Sequence, residues 1–149
     1  MKTVSGDLIA LAKAGAFDVI AHGCNCMCTM GAGIAVAIRK TWPEAYAADL
    51  ATVKGDRGKL GTCTSVSVQE GALTVVNAYT QFDYRGRGVK LSYDAVASCM
   101  AWIKEHHSGR RIGLPMIGAG LAGGDWSRIE AIIATELAGE DVTIVEFAG

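Results

Sequence analysis

The sequence predicts an α/β protein with a three-layer α/β/α sandwich built on a mixed, mostly parallel six-stranded sheet. First, short apolar runs alternate with helical patterns along the whole chain. Second, most of these runs are too continuously apolar for a strand with one face in water, which indicates a sheet covered on both faces. Third, two adjacent runs are separated only by residues 69–72, so we expect one antiparallel hairpin within the sheet.

Six segments are predicted as strands because they are short, rich in β-branched or other apolar residues and bounded by turn residues. In chain order they are residues 2–5, 19–23, 61–68, 73–80, 111–116 and 142–147.

The helical segments lie between these strands, at residues 8–14, 33–38 continuing through 43–53, 91–107 and 126–137. In the third helix one face carries a stripe of apolar side chains, namely Tyr93, Val96, Ala97, Met100 and Ile103. Asp125 precedes the last helix and is its expected N-cap, because a carboxylate there can accept hydrogen bonds from the free N–H groups of the first turn.

At 149 residues the chain is expected to form one domain, residues 1–149. A net charge of −1, with 19% charged residues, provides no overall field for nucleic acid or a membrane surface, so local geometry must hold any anionic ligand. No apolar run reaches the ~18 residues of a membrane span, and the first residues lack a signal peptide's apolar region. We therefore expect a cytoplasmic, monomeric protein whose partner is a small molecule.

Five cysteines, an odd number, occur in a chain for which we expect no export, so reduced thiols are predicted. Cys24, Cys26 and Cys28 form a C-x-C-x-C cluster, which raises the alternative of a metal or redox site with His22 as the nearest fourth ligand. Zinc sites usually space their cysteines more widely, so small buried side chains at the end of a strand are the favoured interpretation. No metal or other cofactor is predicted.

Two glycine-rich loops are the clearest functional signal. Residues 118–123 read G-A-G-L-A-G, the G-x-G-x-x-G pattern of phosphate-binding turns, shortly before the last helix. Residues 30–33 read M-G-A-G and lead into the second helix. Glycines let the backbone approach an anion, and a following helix presents its free N–H groups and positive dipole end to it. Two such loops could grip two phosphates together.

The same motifs exclude several enzyme classes. A dinucleotide-binding Rossmann domain carries its glycine fingerprint early, whereas here only one helix and one strand follow residue 123. Neither loop has the lysine that a Walker A loop requires after its last glycine. No cysteine is followed by arginine at the spacing of thiol phosphatases, and the G-x-S-x-G turn of Ser-His-Asp hydrolases is absent.

Several polar residues stand where predicted strands end. His22 and Asn25 lie between the second strand and the first glycine loop, where buried polar groups need partners, either ligand hydroxyls or loop backbone. Asp7 follows the first strand, so it can cap the next helix or accept a hydrogen bond from an adenine amino group. Residues 81–90 mix aromatic, charged and flexible residues, as functional loops do and as solvated surface connections also do.

Four motifs in order resemble a macro domain. They are G-D-L at 6–8, H-G-C-N at 22–25 continuing to M-G-A-G-I-A-V-A-I at 30–38, V-N-A-Y-T-Q at 76–81, and P-M-I-G-A-G-L-A-G-G-D-W at 115–126. The resemblance covers the whole chain. It is closest to the branch that holds ADP-ribose-1''-phosphate phosphatases and related phage proteins, near the terminal-ADP-ribose glycohydrolases.

The resemblance implies that the ligand is ADP-ribose or its 1''-phosphate. Asp7 would bind the adenine amino group with Leu8 beside it, and Asn25 would face the distal ribose. The two loops would wrap the diphosphate and the distal ribose with backbone N–H groups. The loop residues implied are Gly31, Ala32, Gly33, Ile34, Pro115, Ile117, Gly118, Ala119, Gly120, Leu121 and Ala122.

For catalysis, the phosphatase branch implicates a histidine and an aspartate, which correspond to His22 and Asp83, with Asn25 assigned to the same site. One of the pair would activate a water that attacks the terminal phosphate, and the other would handle the leaving hydroxyl. Arg85 or Arg87 would offset charge on the phosphate. The favoured interpretation is therefore a phosphatase that converts ADP-ribose-1''-phosphate to ADP-ribose and phosphate.

Two alternatives stay open. The first is a hydrolase that removes ADP-ribose from protein or nucleic acid. The glycohydrolase branch uses a lysine where Gln81 stands and an aspartate where Ala122 stands, although Lys90 and Asp125 lie a few residues away. The second is a non-catalytic module that only binds ADP-ribose.

Overall fold

The computed structural model describes residues 1–148. Its strands are β1 (Lys2–Gly6), β2 (Val19–Cys24), β3 (Cys63–Val68), β4 (Leu73–Tyr79), β5 (Arg111–Leu114) and β6 (Asp141–Phe147). Its α-helices are α1 (Leu8–Lys13), α2 (Ile34–Thr41), α3 (Pro43–Leu50), α4 (Tyr93–His107) and α5 (Trp126–Glu136).

The strands form one sheet with the order β1-β6-β5-β2-β4-β3. The β3–β4 pair is antiparallel, and the other four pairs are parallel. This arrangement confirms the predicted mixed, mostly parallel sheet and its hairpin.

Helices cover both faces of the sheet because successive side chains of a strand point to opposite faces. In β2, Val19 and Ala21 join a buried cluster with residues of α4 and α5, whereas Ile20 joins a second cluster with residues of α1, α2 and α3. Each cluster fills the space between the sheet and the helices on one of its faces, which gives the three layers of the sandwich. Within residues 1–148, no helix is both long enough and apolar enough to cross a membrane.

The helix predicted to continue from 33–38 through 43–53 is interrupted. Pro43 begins α3, and a proline ring disfavours the helical region for the residue before it. Trp42 accordingly has φ −130° and ψ 81°, and its side chain is buried in the core. The segment therefore forms two helices, α2 and α3.

Helix α4 begins two residues later than predicted. Ser92 is its N-cap, with Oγ accepting a hydrogen bond from Ala95 N at 3.1 Å. Leu91 instead pairs with Gln81 in an isolated antiparallel bridge. This bridge closes the base of the loop that follows β4.

Helix α5 begins at the predicted residue. Asp125 has an extended backbone, and its Oδ1 accepts a hydrogen bond from Ser127 N at 3.0 Å. The predicted N-cap is therefore confirmed.

We expect Asp125→Ala to lower the free energy of unfolding by about 1 kcal/mol, because alanine removes the acceptor for the first turn of α5. Asp125→Ser keeps a capping oxygen and should lose much less. Urea denaturation followed by circular dichroism measures both variants. Equal losses in the two would contradict the capping role.

Candidate functional site

A cavity of about 680 Å³ lies at the carboxyl ends of β2, β4 and β5. The strand order places β2 between β4 and β5, and all three run parallel, so the connections that leave them meet at one edge of the sheet. β2 pairs with β4 over six residue pairs but with β5 over only two, the second being Ile20 with Gly113. β5 therefore diverges from β2, which opens the crevice where ligands of α/β sheets bind.

Three connections form the cavity wall, after β2, β4 and β5 respectively. The lining residues are Gly23, Cys24, Asn25, Thr29, Gly31, Ala32, Gly33, Ile34, Ala35, Thr80, Gln81, Tyr84, Gly86, Lys90, Pro115, Met116, Ile117, Gly118, Gly120, Leu121 and Ala122. Both predicted glycine loops therefore face one space, as the two-loop hypothesis requires.

The first glycine loop contributes an open helix N-terminus. Gly33 is the N-cap of α2 and has φ 59°, a backbone conformation that favours glycine. None of the side chains in residues 1–148 caps this helix. Ile34 and Ala35, its first residues, line the cavity. The free N–H groups and the positive end of the helix dipole make this end of α2 a favourable place for an anion.

The second glycine loop acts through its own turn and not through the helix after it. Gly124 N donates a hydrogen bond to Gly118 O at 2.8 Å, which folds the loop back on itself. A Cβ on Gly118 would lie 2.5 Å from a methyl carbon of Leu91, so glycine is needed for this packing. Asp125 caps α5 and does not line the cavity. Of the two helices that follow the glycine loops, only α2 therefore presents its N-terminus to the cavity.

The charge on the cavity wall suits an anionic ligand. No lining residue within the described chain carries a carboxylate or an imidazole, and Lys90 supplies an ammonium group. Lys90 N donates a hydrogen bond to Ala122 O at 2.8 Å, and its Nζ donates to Leu121 O at 3.3 Å. These bonds attach the loop after β4 to the second glycine loop.

Asn25 lines the cavity from the end of β2. Its Oδ1 accepts a hydrogen bond from Met27 N at 2.8 Å, and its Nδ2 donates to Thr29 Oγ1 at 2.8 Å. These hydrogen bonds fix the turn between β2 and the first glycine loop. Asn25 therefore bonds to groups of its own loop and also lines the cavity.

His22 does not reach the cavity. Its side chain is fully buried, and its Nε2 donates to Asn77 Oδ1 at 2.8 Å. The orientation of this amide is fixed, because Asn77 Nδ2 donates to Ala45 O and Thr64 Oγ1. Burial lowers the pKa of His22 to about 4, although the bond to Asn77 opposes this, so the ring is neutral at pH 7. We therefore assign His22 a structural role in place of the predicted catalytic one.

Asp83 lies beside the cavity rather than on its wall, between the lining residues Tyr84 and Gln81. Its carboxylate pairs with Arg85, with Oδ2 accepting from Nη2 at 2.9 Å. The hydrogen bonds from Arg85 hold the pKa of Asp83 at about 2, so this carboxylate is ionised at neutral pH. Asp83 is therefore a weak base at the rim.

Asp7 and Leu8, the predicted adenine contacts, do not line the cavity. Asp7 caps α1, with Oδ1 accepting from Ile9 N at 2.9 Å and from Ala10 N at 3.2 Å. Leu8 is buried in the core. They follow β1, which β6 separates from β5, at the same edge of the sheet as the cavity. Ala119 also does not line the cavity, although its neighbours Gly118 and Gly120 do.

Sequence reasoning did not select four polar or aromatic lining residues. They are Thr29, Thr80, Tyr84 and Lys90. Thr80, Tyr84 and Lys90 follow β4. For Tyr84 and Lys90 the signal available was the mixed composition of residues 81–90, whereas Thr80 stood in the strand predicted at 73–80.

Comparison with known proteins identifies the family. The Macro domain family model matches residues 21–133, so the chain belongs to the macro domain family. It is 37% identical over 157 residues to an uncharacterized 17.5 kDa protein from the tk-vs intergenic region of Enterobacteria phage T4, covering 99% of this chain and 96% of the phage protein.

Two solved structures show the same fold. A protein of unknown function from Bacteroides thetaiotaomicron is 31% identical, with a TM-score of 0.77 and coverage of 97% of this chain and 96% of that chain. A Trypanosoma brucei macrodomain in complex with ADP-ribose is 18% identical, with a TM-score of 0.67 and coverage of 99% of this chain and 63% of that chain. At 18% identity the second likeness concerns the fold alone.

Two glycines offer a direct test of the cavity. A Cβ on Gly31 or Gly120 would meet no atom within 4 Å, and neither residue has a positive φ. Gly31→Glu and Gly120→Glu should therefore fold normally while placing a carboxylate in the cavity. We expect each to weaken binding of an anionic ligand by about 100-fold or more, because juxtaposed like charges cost several kcal/mol.

Isothermal titration calorimetry with ADP-ribose measures these affinities. Ala134→Glu adds the same charge on the exposed face of α5 and should bind like the wild type. Unchanged affinity in both glycine variants would place the ligand elsewhere.

Proposed function

We propose that this protein binds ADP-ribose in the cavity between the two glycine loops. The observation that carries the proposal is the wall itself. The uncapped N-terminus of α2 and the second glycine loop line the same cavity of about 680 Å³, with no lining carboxylate in the described chain. The likeness in fold to a macrodomain solved with ADP-ribose supports the same ligand.

The proposed pose follows from the chemistry of each wall. The diphosphate lies between the two glycine loops. The backbone N–H groups of Gly31–Ile34 and of Gly118, Gly120, Leu121 and Ala122 donate to it. Each bond of this kind to a charged group contributes about 1.5–3 kcal/mol. The distal ribose faces Asn25, and the adenine extends along the sheet edge toward Asp7 and Leu8.

The proposed reaction is hydrolysis of ADP-ribose-1''-phosphate to ADP-ribose and inorganic phosphate. A water attacks phosphorus, the bond from phosphorus to the 1''-oxygen breaks, and that oxygen takes up a proton as it leaves. Asp83 is the carboxylate nearest this end of the cavity along the loop, and it orients the water. Because its pKa is about 2, its contribution is orientation more than proton removal.

Arg85 and Asn25 complete the proposed site. Arg85 lies on the rim, is about two-thirds exposed and is paired with Asp83. In the proposed site it exchanges part of this pairing for the phosphate and offsets its charge. Asn25 contacts the ribose that carries the phosphate. His22 supports this site indirectly, through the buried end of β2.

We expect Asp83→Ala to abolish phosphate release and to leave ADP-ribose affinity nearly unchanged, because the carboxylate lies outside the binding wall. Malachite-green detection of phosphate and calorimetry with ADP-ribose measure the two quantities. Glu105→Ala removes an exposed carboxylate from the far end of α4 and serves as the control. Full activity in Asp83→Ala would remove the assignment.

Lys90 favours a second candidate function, hydrolysis of the bond between ADP-ribose and a protein or nucleic acid. Its Nζ is beside Leu121 O on the cavity wall, and its backbone contacts Ala122, where the related glycohydrolases carry an aspartate. After giving up a proton, the Lys90 amine attacks the anomeric carbon, and the bond from that carbon to the macromolecule breaks as the macromolecule takes up the proton and leaves. The sugar ring of the lysyl adduct then opens to an imine, which water hydrolyses to free ADP-ribose.

This second candidate makes its own prediction. Sodium borohydride added during turnover of ADP-ribosylated protein or DNA should reduce the adduct and attach one ADP-ribose to Lys90, as read by peptide mass spectrometry. Lys90→Met should release no ADP-ribose, while Lys13→Met, an exposed lysine of α1, should be fully active. Release without any trapped lysine would exclude this mechanism. No turnover of either substrate, together with tight ADP-ribose binding, would indicate a binding module.

A further inference from the structure

A cysteine and a lysine, Cys28 and Lys59, lie in contact next to the cavity without lining it. Cys28 belongs to the connection after β2, and Lys59 ends the 3-10 turn Arg57–Lys59 that precedes β3. Lys59 Nζ donates a hydrogen bond to Cys28 Sγ at 3.5 Å. The proposed function uses neither side chain.

Lys59 is buried and held in one position. Only 7% of its surface is exposed, yet the ion pairs of residues 1–148 do not include it. Its Nζ donates to Thr52 Oγ1 at 2.5 Å and lies 4.8 Å from the centroid of the Tyr79 ring. The buried Asp49 carboxylate is close enough to interact electrostatically with Lys59, although the two form no direct ion pair. These contacts hold the Lys59 amine in hydrogen-bond contact with the sulfur of Cys28.

Cys28 differs from the other thiols in its surroundings. Like Cys63 it is only partly buried, whereas Cys24, Cys26 and Cys99 are buried, but among the thiols of residues 1–148 it alone has a lysine amine within hydrogen-bond distance. Burial raises the pKa of the Cys24 thiol well above its ordinary value and that of Cys26 to about 11. The pKa of Cys63 is raised by its hydrogen bond to Cys99 and by burial. Because the thiolate is the form that reacts with peroxides, these three thiols are protected.

We propose that Cys28 and Lys59 form an oxidative crosslink, a sulfenamide between Sγ and Nζ. Hydrogen peroxide first transfers one oxygen to Sγ, which is oxidised by two electrons to a sulfenic acid while the O–O bond is reduced and one water leaves. Lys59 Nζ gives one proton to solvent and then attacks Sγ with its freed electron pair. The S–N bond forms, the S–O bond breaks, and the leaving hydroxide takes a proton from nitrogen and departs as water. The protein loses two hydrogens, and one peroxide becomes two waters.

The crosslink is expected to change the shape of the cavity wall. An S–N bond is much shorter than 3.5 Å, so its formation draws Cys28 toward the turn at 57–59. Thr29 follows Cys28, lines the cavity and bonds Asn25 through Oγ1. Displacing Thr29 deforms the wall and weakens ligand binding. This consequence rests on the proposed function, whereas the crosslink itself does not.

Peptide mass spectrometry of the peroxide-treated protein tests the crosslink. The expected product joins the peptides that contain Cys28 and Lys59, weighs two hydrogens less than their sum and disappears with dithiothreitol. Cys26→Ser should form it as the wild type does, which separates it from a disulfide between neighbouring cysteines. Cys28 recovered as a sulfinic acid or in a disulfide, without the joined peptides, would overturn the proposal.

Lys59→Gln provides a second test. It should abolish the two-hydrogen mass loss of the intact protein, and persistence of that loss would overturn the proposal. If circular dichroism shows that this variant is unfolded, the wild-type peptide map alone decides.

Calorimetry tests the effect of the crosslink on ligand binding separately from the crosslink itself. Oxidised wild-type protein should bind ADP-ribose several-fold more weakly than reduced protein, and Cys28→Ser should not respond to peroxide. A crosslink with unchanged affinity would overturn the link to the cavity. Absence of ADP-ribose binding in the reduced protein would instead contradict the proposed function.

Discussion

The parallel pairing of β2 with β4 on one side and β5 on the other determines where everything else in the site lies. Because the three strands end at the same edge of the sheet, the chain must leave them through connections that stand side by side. The short pairing of β2 with β5 then separates two of those connections and leaves a crevice between them. The glycine loops, the rim that carries Asp83 and the turn fixed by Asn25 all occupy positions set by this divergence.

The wall of the crevice is mostly main chain. The uncapped N-terminus of α2 and the folded turn of the second glycine loop both line the crevice. The N-terminus of α5 does not, because Asp125 caps it. The two loops look alike in sequence, but they act through different physical means. In the proposed complex, the positive end of the α2 dipole and the backbone amides of the two loops take the place of the basic side chains that a protein of net charge −1 does not concentrate there.

Much of this architecture could be predicted from the sequence, and the failures have identifiable causes. Apolar runs located the six strands, and Asp125 located the start of α5, because local propensity and capping decide those features. Pro43 divided a helix that apolar spacing alone had joined. His22 was misplaced because its position at a strand end was clear, whereas the face it occupies depends on the pairing that puts Asn77 within hydrogen-bond reach. Lys90 was not selected as a lining residue because a loop's path depends on long-range contacts, here the bond to Ala122.

The predominance of main-chain groups in the wall has a consequence for evolution. An amide hydrogen is present in every residue except proline, so most substitutions in the loops leave the binding groups intact, provided the backbone keeps its path. Sterics fix only the glycines with crowded surroundings, such as Gly118 against Leu91, and those with a positive φ, such as Gly33. Selection on such a site acts on the path of the backbone more than on particular side chains. A fold of this kind can persist through extensive change of sequence, as the likeness to the Trypanosoma brucei macrodomain at 18% identity illustrates.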